Sequence, residues 1–214
     1  MSSSLSGKRA LVTGASRGLG KAIALSLARA GADVAITFEK SVEKAQAVAD
    51  DIRALGRNGV AIQADSASPQ AIRAAVAQSV EKLGGLDILV NNAGIFTNKP
   101  LLEQGLEEWE KIIAVNLRAP YLLSQAFAPL LSASHGHIIN IASTRSMMSE
   151  AGTEAYSASK GGLASLTHAL SISLSGQVSV NAISPGWINT DENYTPSLEE
   201  HAWHSSGRVG RPSD

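Results

Sequence analysis

Short, almost unbroken apolar runs alternate along this chain with longer stretches in which apolar positions recur every three or four residues. The short runs are Ala10 to Thr13, Asp33 to Phe38, Val60 to Ala64, Leu86 to Asn91, His137 to Ile141 and Val178 to Ile183. Runs this apolar, without polar alternation, suit strands of a parallel sheet covered on both faces. Between them, Leu19 to Ala30, Val42 to Leu55, Pro69 to Leu83, Leu106 to Leu131 and Thr153 to Leu174 carry the helical period. Strand and helix in strict alternation predict an α/β fold, a doubly wound parallel sheet with right-handed crossovers. No internal repeat, low-complexity tract or linker interrupts the pattern, so one domain is expected over residues 1–214.

Composition narrows the function classes. A chain of 214 residues with 44% hydrophobic and 17% charged residues can bury a sizeable core. Its 18 basic and 19 acidic side chains create no basic field to attract nucleic acid. No apolar run reaches membrane-spanning length and the opening MSSSLSGKR lacks the apolar core of a signal peptide, so a cytoplasmic protein without a membrane partner is expected. Zero cysteines exclude disulfides and thiol catalysis, and leave no sulfur ligands for a zinc site.

The first strand runs into Thr-Gly-Ala-Ser-Arg-Gly-Leu-Gly, Thr13 to Gly20, and then a helix. Glycines at such a turn let the backbone approach a ligand, and the helix N-terminus offers free N–H groups and positive potential to a pyrophosphate. The spacing of Gly14, Gly18 and Gly20 differs from the Gly-x-Gly-x-x-Gly fingerprint, but its place between strand and helix favours a dinucleotide. At the end of the second strand an acid would bind the ribose of NAD and a base would accommodate the phosphate of NADP. Phe38 stands at the acid's place, Glu39 follows, and Arg17 and Lys40 offer positive charge. The reading taken is NADP, with NAD as the alternative.

Asp65, after the third strand, and Asn91 to Gly94, at the end of the fourth, fall on the ligand side of such a sheet. A helix cap near Ser66 and a plain turn after the fourth strand are the bland readings of the same residues. Small side chains at Ala93 and Gly94 would let a flat ring lie against the backbone. Tyr156 and Lys160 in Tyr-Ser-Ala-Ser-Lys are four apart and share a helix face. A cation beside a phenol lowers its pKa, and proton transfer near neutral pH asks for a shift of roughly 2 to 3 units. A chance pairing on an ordinary helix gives the same spacing.

Taken together, the turn at Thr13 to Gly20, Asn-Asn-Ala-Gly at Asn91 to Gly94, Asn116 in Val-Asn-Leu, Ser143 in Ile-Ala-Ser, the Tyr156 and Lys160 pair, and Pro-Gly-x-x-x-Thr at Pro185 to Thr190 occur in the order and approximate spacing of one family. The chain resembles the short-chain dehydrogenase/reductase family over nearly its whole length, and within it the 3-oxoacyl acyl-carrier-protein reductases and related carbonyl reductases. The resemblance implies a Rossmann fold and a catalytic set of Asn116, Ser143, Tyr156 and Lys160. Tyr156 would be the general acid in reduction, Lys160 would lower its pKa and hold the nicotinamide ribose, Ser143 would bond the substrate oxygen, and Asn116 would anchor a water chain.

The same resemblance implies cofactor contacts from Gly14, Ser16, Arg17, Gly18, Leu19 and Gly20 in the first turn. Further contacts would come from Phe38, Asp65, Ser66, Asn92, Ala93 and Gly94, from Tyr156 and Lys160, and from Pro185, Gly186, Ile188 and Thr190. No metal is required. Gly161 and Gly162, unfavourable in a helix interior, suggest close packing against another helix or the cofactor, and by family likeness a homo-oligomer, a dimer or tetramer.

Residues 187–210 are expected to form a lid over the substrate. Phe96, Arg145, Met147, Met148, Trp187 and Trp203 are the candidates around the cleft. His201 and His204 invite a zinc reading, but their spacing is not that of a helical metal motif and a solvated lid face accounts for them. Beyond them Pro212 and Asp214 resemble a helix start, whereas family members usually continue with that helix and one further strand. The expected function is hydride transfer between NADPH and a 3-oxoacyl compound, small ketone or aldehyde. An NAD-dependent dehydrogenase of a sugar or secondary alcohol is the alternative, and a catalytically silent dinucleotide-binding sensor is the reading from another class.

Overall fold

The computed structural model describes residues 4–191 and 193–214. Its strands are Arg9–Val12 (β1), Asp33–Phe38 (β2), Gly59–Gln63 (β3), Ile88–Asn91 (β4), His137–Ile141 (β5) and Ser179–Ile183 (β6). Every predicted strand is present, with bounds shifted by at most two residues. All pair in parallel, in the order β3-β2-β1-β4-β5-β6. This is the doubly wound order, and its direction reverses between β1 and β4, where ligands of such sheets bind.

The helices are Gly18–Arg29 (α1), Val42–Ala54 (α2), Pro69–Leu83 (α3), Leu106–Ile113 (α4), Ala119–Ala133 (α5), Glu154–Ser173 (α6) and Leu198–Ala202 (α7). Side chains alternate across the sheet, so each strand feeds two cores. Ala10 and Val12 of β1 pack with Ala24 and Ala28 of α1 and Val48 and Ile52 of α2. Leu11, between them, packs on the opposite face with Ile72 and Ala75 of α3 and Leu123 and Phe127 of α5. At the end of the sheet away from the ligand side, buried Asp87 accepts bonds from the Arg9 backbone N at 2.9 Å and from Nε at 2.8 Å. Both donors hold the Asp87 carboxyl below its ordinary range, although burial alone would raise it.

Two expectations are corrected. The single helix predicted over Leu106 to Leu131 is interrupted by a wider π turn, Ala114–Arg118, between α4 and α5. Pro120 has no N–H, so the ordinary bond back to the carbonyl of Asn116 is impossible. The helix start expected at Pro212 does not form. Instead Asp214 takes the Arg208 guanidinium in two bonds of 2.7 and 2.8 Å and the Arg211 backbone N at 2.8 Å, which folds the segment into a turn. Beyond Ile183, β6 carries no further strand on its outer edge among the described residues, and Asn181, Ala182 and Ile183 are exposed. No helix among them is long and apolar enough to cross a membrane.

Candidate functional site

The turn from β1 to α1 is shaped by its glycines. Gly14 adopts φ +63°, and a Cβ there would meet the Ala93 Cα at 2.8 Å. Gly20 has no such backbone demand, but a Cβ would lie 2.5 Å from the Asn92 amide nitrogen and 2.7 Å from the Gly14 carbonyl oxygen. The turn is therefore pressed against the segment after β4. Thr13 clamps the two: its hydroxyl oxygen accepts the backbone N–H groups of Asn92 at 3.0 Å and Ala93 at 2.9 Å, while Asn92 Nδ2 donates to the Thr13 carbonyl at 2.8 Å. No side chain caps the start of α1, so its first N–H groups remain available to an anion.

Phe38 does not stand open at the site. It is buried in the core beneath α2, and the flanking Glu39 and Lys40 are exposed and paired at 3.7 Å. Arg17 is exposed and Ser16 partly so. Asp65 holds a turn, accepting the Ala67 N–H at 2.8 Å, while the cap of α3 is Ser68, whose Oγ accepts the Ala71 N–H at 3.2 Å. Ser66, the expected cap region, lies between them.

Asn116 is wholly buried in the π turn. Its Oδ1 accepts the Ile95 N–H at 2.9 Å, and its Nδ2 donates to the Ile95 carbonyl at 2.9 Å and to Ser159 Oγ at 3.0 Å. Ser159 Oγ donates in turn to the Tyr156 carbonyl at 2.7 Å. One side chain thus fastens the loop after β4 to the first turns of α6. Gly162 lets α6 come close, since a Cβ there would meet Leu117 Cδ2 at 2.8 Å, whereas Gly161 has ordinary room. A second buried chain was not anticipated. Asn91 Nδ2 donates to Asn140 Oδ1 at 2.8 Å, Asn140 Nδ2 to Thr167 Oγ1 at 2.9 Å, and Thr167 to the Leu163 carbonyl at 2.7 Å. The asparagine inside the apolar run of β5 was the signal for it.

Lys160 is buried, and its Nζ donates to the Ile141 carbonyl at 2.7 Å and lies 5.7 Å from the centre of the Tyr156 ring. Burial pushes its ammonium down to about 8. The Tyr156 phenol moves upward: burial outweighs the opposing pull of the Ser143 hydroxyl and the Arg145 guanidinium. Before any ligand is considered, burial rather than Lys160 sets the phenol, because the ammonium is itself desolvated and turned to a carbonyl. Ser143 follows β5 and is nearly buried, and its Oγ accepts the Arg145 N–H at 3.1 Å. Phe96 meets Tyr156 edge to face, with ring centres 4.9 Å apart.

These residues share one cleft of about 1160 Å³. Asn92 and Gly94 line it at one end. Ser143, Tyr156 and Lys160 line its floor, and Pro185, Gly186, Ile188 and Thr190 the side toward α1. Thr190 also reaches the turn, 3.3 Å from where a Gly18 Cβ would stand. Of the cleft candidates, Phe96, Arg145, Met148, Trp187 and Trp203 line it, and Met147 points away, 90% exposed. His204 and Arg208, within 187–210, also line it, as does Glu150, which was not anticipated.

The described residues of 187–210 form an excursion closed at its base, where Asn189 N donates to the Gly210 carbonyl at 2.9 Å and Gly210 N to the Trp187 carbonyl at 3.0 Å. His201 Nδ1 accepts the Val209 N–H at 3.0 Å. No group of three or more His, Cys, Asp or Glu able to hold a metal comes together among the described residues.

Comparison with known proteins yields a family and close relatives. The family model described as short chain dehydrogenase matches residues 8–200. An uncharacterized oxidoreductase of Thermotoga maritima is 43% identical over 223 residues, covering 98% of this chain and 86% of that protein. A 3-oxoacyl-(acyl-carrier-protein) reductase of Staphylococcus aureus is 40% identical over 186 residues, covering 86% of this chain and 76% of that protein. Among solved structures, a short-chain dehydrogenase of Burkholderia cenocepacia in complex with NADP superimposes with a TM-score of 0.92 at 45% identity, covering 98% of this chain and 87% of that one.

Proposed function

Because the chain belongs to the short-chain dehydrogenase/reductase family, a family of oxidoreductases, we propose that it transfers a hydride between NADPH and a carbonyl substrate, with Tyr156 as general acid and base. The observation that carries this reading is the convergence of Ser143, Tyr156 and Lys160 on the floor of a cleft that Leu19 of the glycine turn also lines, with Asn116 holding the floor together. The turn fits a dinucleotide. Its glycines leave a cradle that a Cβ would fill, and the uncapped N–H groups of α1 face the place where a pyrophosphate would lie.

The cofactor, when bound, supplies the hydride to the carbonyl carbon. The chain's residues handle the oxygen. Ser143 and Tyr156 present donors where negative charge develops, and Tyr156 delivers the proton that completes the alcohol. Lys160, buried beside the ring and turned to the Ile141 carbonyl, would hold the nicotinamide ribose. Asn116 keeps Ile95, Ser159 and the start of α6 in register so that these donors are held before reaction.

Arg17 and Lys40 support NADP over NAD, since each is exposed near the ends of β1 and β2. Glu39 supports the alternative, an NAD-dependent dehydrogenase of a sugar or secondary alcohol, because its exposed carboxylate offers acceptors to a ribose diol. The substrate is a 3-oxoacyl compound or a small ketone or aldehyde, and residues 187–210 form the lid over it. By family likeness the protein is a cytoplasmic homo-oligomer. A panel of carbonyl compounds assayed with both reduced cofactors, together with titrations followed by nicotinamide fluorescence, tests the reading. Reduction with NADPH and tighter binding of NADPH than NADH are expected; tighter NADH binding favours the alternative, and cofactor binding without any turnover would sink the enzymatic reading.

A further inference from the structure

Three cations line the cleft, and they differ in how firmly they are engaged. Lys160 is buried and turned to the Ile141 carbonyl. Arg208 is gripped by both oxygens of Asp214. Arg145 donates one bond to the Met148 carbonyl at 2.9 Å and pairs with the Glu150 carboxylate. A guanidinium carries five N–H donors in a flat fork suited to carboxylates, so these two contacts leave most of that capacity open.

The partner of Arg145 is built to exchange. Glu150 is the one acidic side chain lining the cleft among the described residues, and its side chain is 52% exposed. Its backbone is pinned by Thr153, whose hydroxyl donates to the Glu150 carbonyl at 2.6 Å and accepts its N–H at 3.3 Å. The carboxylate itself bonds only to Arg145 among the described residues. A pair this open to water contributes little stability, and replacing one carboxylate by another leaves the charge balance unchanged.

Arg145 is also rooted at the reacting end. It lies two residues after Ser143, whose Oγ accepts its backbone N–H, and its charge is felt at the Tyr156 phenol. Building on the proposed function, we propose that Arg145 binds a carboxylate of the substrate in a site that Glu150 fills otherwise, so that the substrates are short oxo acids and the corresponding hydroxy acids. The apolar flank at Phe96, Met148 and Trp203 then faces the remaining carbon chain.

Acetoacetate and its methyl ester share the ketone and differ in the carboxylate, and they form the test. Steady-state reduction of each with NADPH, and binding of each followed by tryptophan fluorescence, are measured for the wild type, Arg145→Met, Arg145→Lys and Glu150→Gln. The wild type is expected to favour the acid. Arg145→Met should lower the acid-to-ester ratio of kcat/KM at least tenfold, Arg145→Lys should lower it less because a point charge replaces the fork, and Glu150→Gln should raise it. An unchanged ratio in Arg145→Met, an equal loss on both compounds, or a fall in Glu150→Gln overturns the proposal. If the wild type binds acetoacetate through Arg145 yet reduces neither compound, the recognition stands and the proposed reaction falls. Reduction of both without preference has the opposite meaning.

Discussion

Ile95 and Phe96 are neighbours in the chain and belong to different kinds of structure. The Ile95 backbone is bonded on both sides to a side chain that is 0% exposed, Asn116, while the Phe96 ring is 57% exposed in the open cleft. The same contrast runs through the whole cleft. At the floor, Ser159 and Lys160 are buried and bonded to elements distant in sequence. On the opposite wall, Arg145, Glu150 and the described residues of 187–210 bond mostly to residues within six positions of themselves. The floor is fixed by the fold; the wall is local and can change its contacts without disturbing the sheet. A fixed floor suits one reaction, and an adaptable wall suits choice of substrate.

The sharpest way to break the comparison is at the floor. Tyr156→Phe keeps the ring against Phe96 and removes only the hydroxyl. It should lower kcat roughly a thousandfold, within the range for losing a general acid, while NADPH affinity and the unfolding midpoint stay near wild type. Single-turnover kinetics with NADPH measure it, and retained turnover would move the proton donor elsewhere. Asn116→Ala strips partners from both Ile95 backbone groups and should cost about 3 kcal/mol of stability, read by urea denaturation. If the floor is as rigid as its bonds imply, NADPH affinity falls with it.

Lys160 tests the floor through pH. Its folded value of about 8 lies below the ordinary 10.5. Between those values the unfolded chain holds a proton that the folded protein has released, so the contribution of Lys160 to stability rises with pH across that window, by up to about 3 kcal/mol. Below pH 8 both states are protonated and the contribution is flat. Urea denaturation at pH 7.5 and pH 10 should show the rise in the wild type and a smaller one in Lys160→Met. Equal slopes would mean that Lys160 is better solvated than its burial indicates.

The same division explains what the sequence disclosed. Strand bounds were legible within two residues because continuous apolar runs mark strands covered on both faces, and the motif order picked out Ser143, Tyr156 and Lys160, which line one cleft. What was missed has more than one cause, some of it local and some of it reaching between distant segments. The π turn follows from Pro120 lacking an N–H in an otherwise helical pattern. Phe38 reads as a ribose neighbour by position but is drawn into the core by α2. The Asn91, Asn140 and Thr167 chain spans three elements whose adjacency no local pattern reveals. Arg145 stood among the wall candidates, yet its pairing with Glu150 depends on a loop conformation that neither residue type specifies.

The smallest expected effect belongs to α7, in the segment we propose as the lid. α7 is five residues long and held at its start by a capping box: Glu200 N donates to Ser197 Oγ at 3.2 Å, and Ser197 N donates to Glu200 Oε2 at 2.7 Å. Ser197→Ala removes the first bond, a loss worth roughly fivefold in the folded population of such a turn. Because α7 contributes no buried side chain, the global unfolding midpoint should not move. Amide exchange over residues 198–202 should quicken, and KM for the carbonyl substrate should rise a few-fold while kcat holds. A drop in the unfolding midpoint instead would show that the wall shares in the stability of the floor, and the separation between the two regions would then fail.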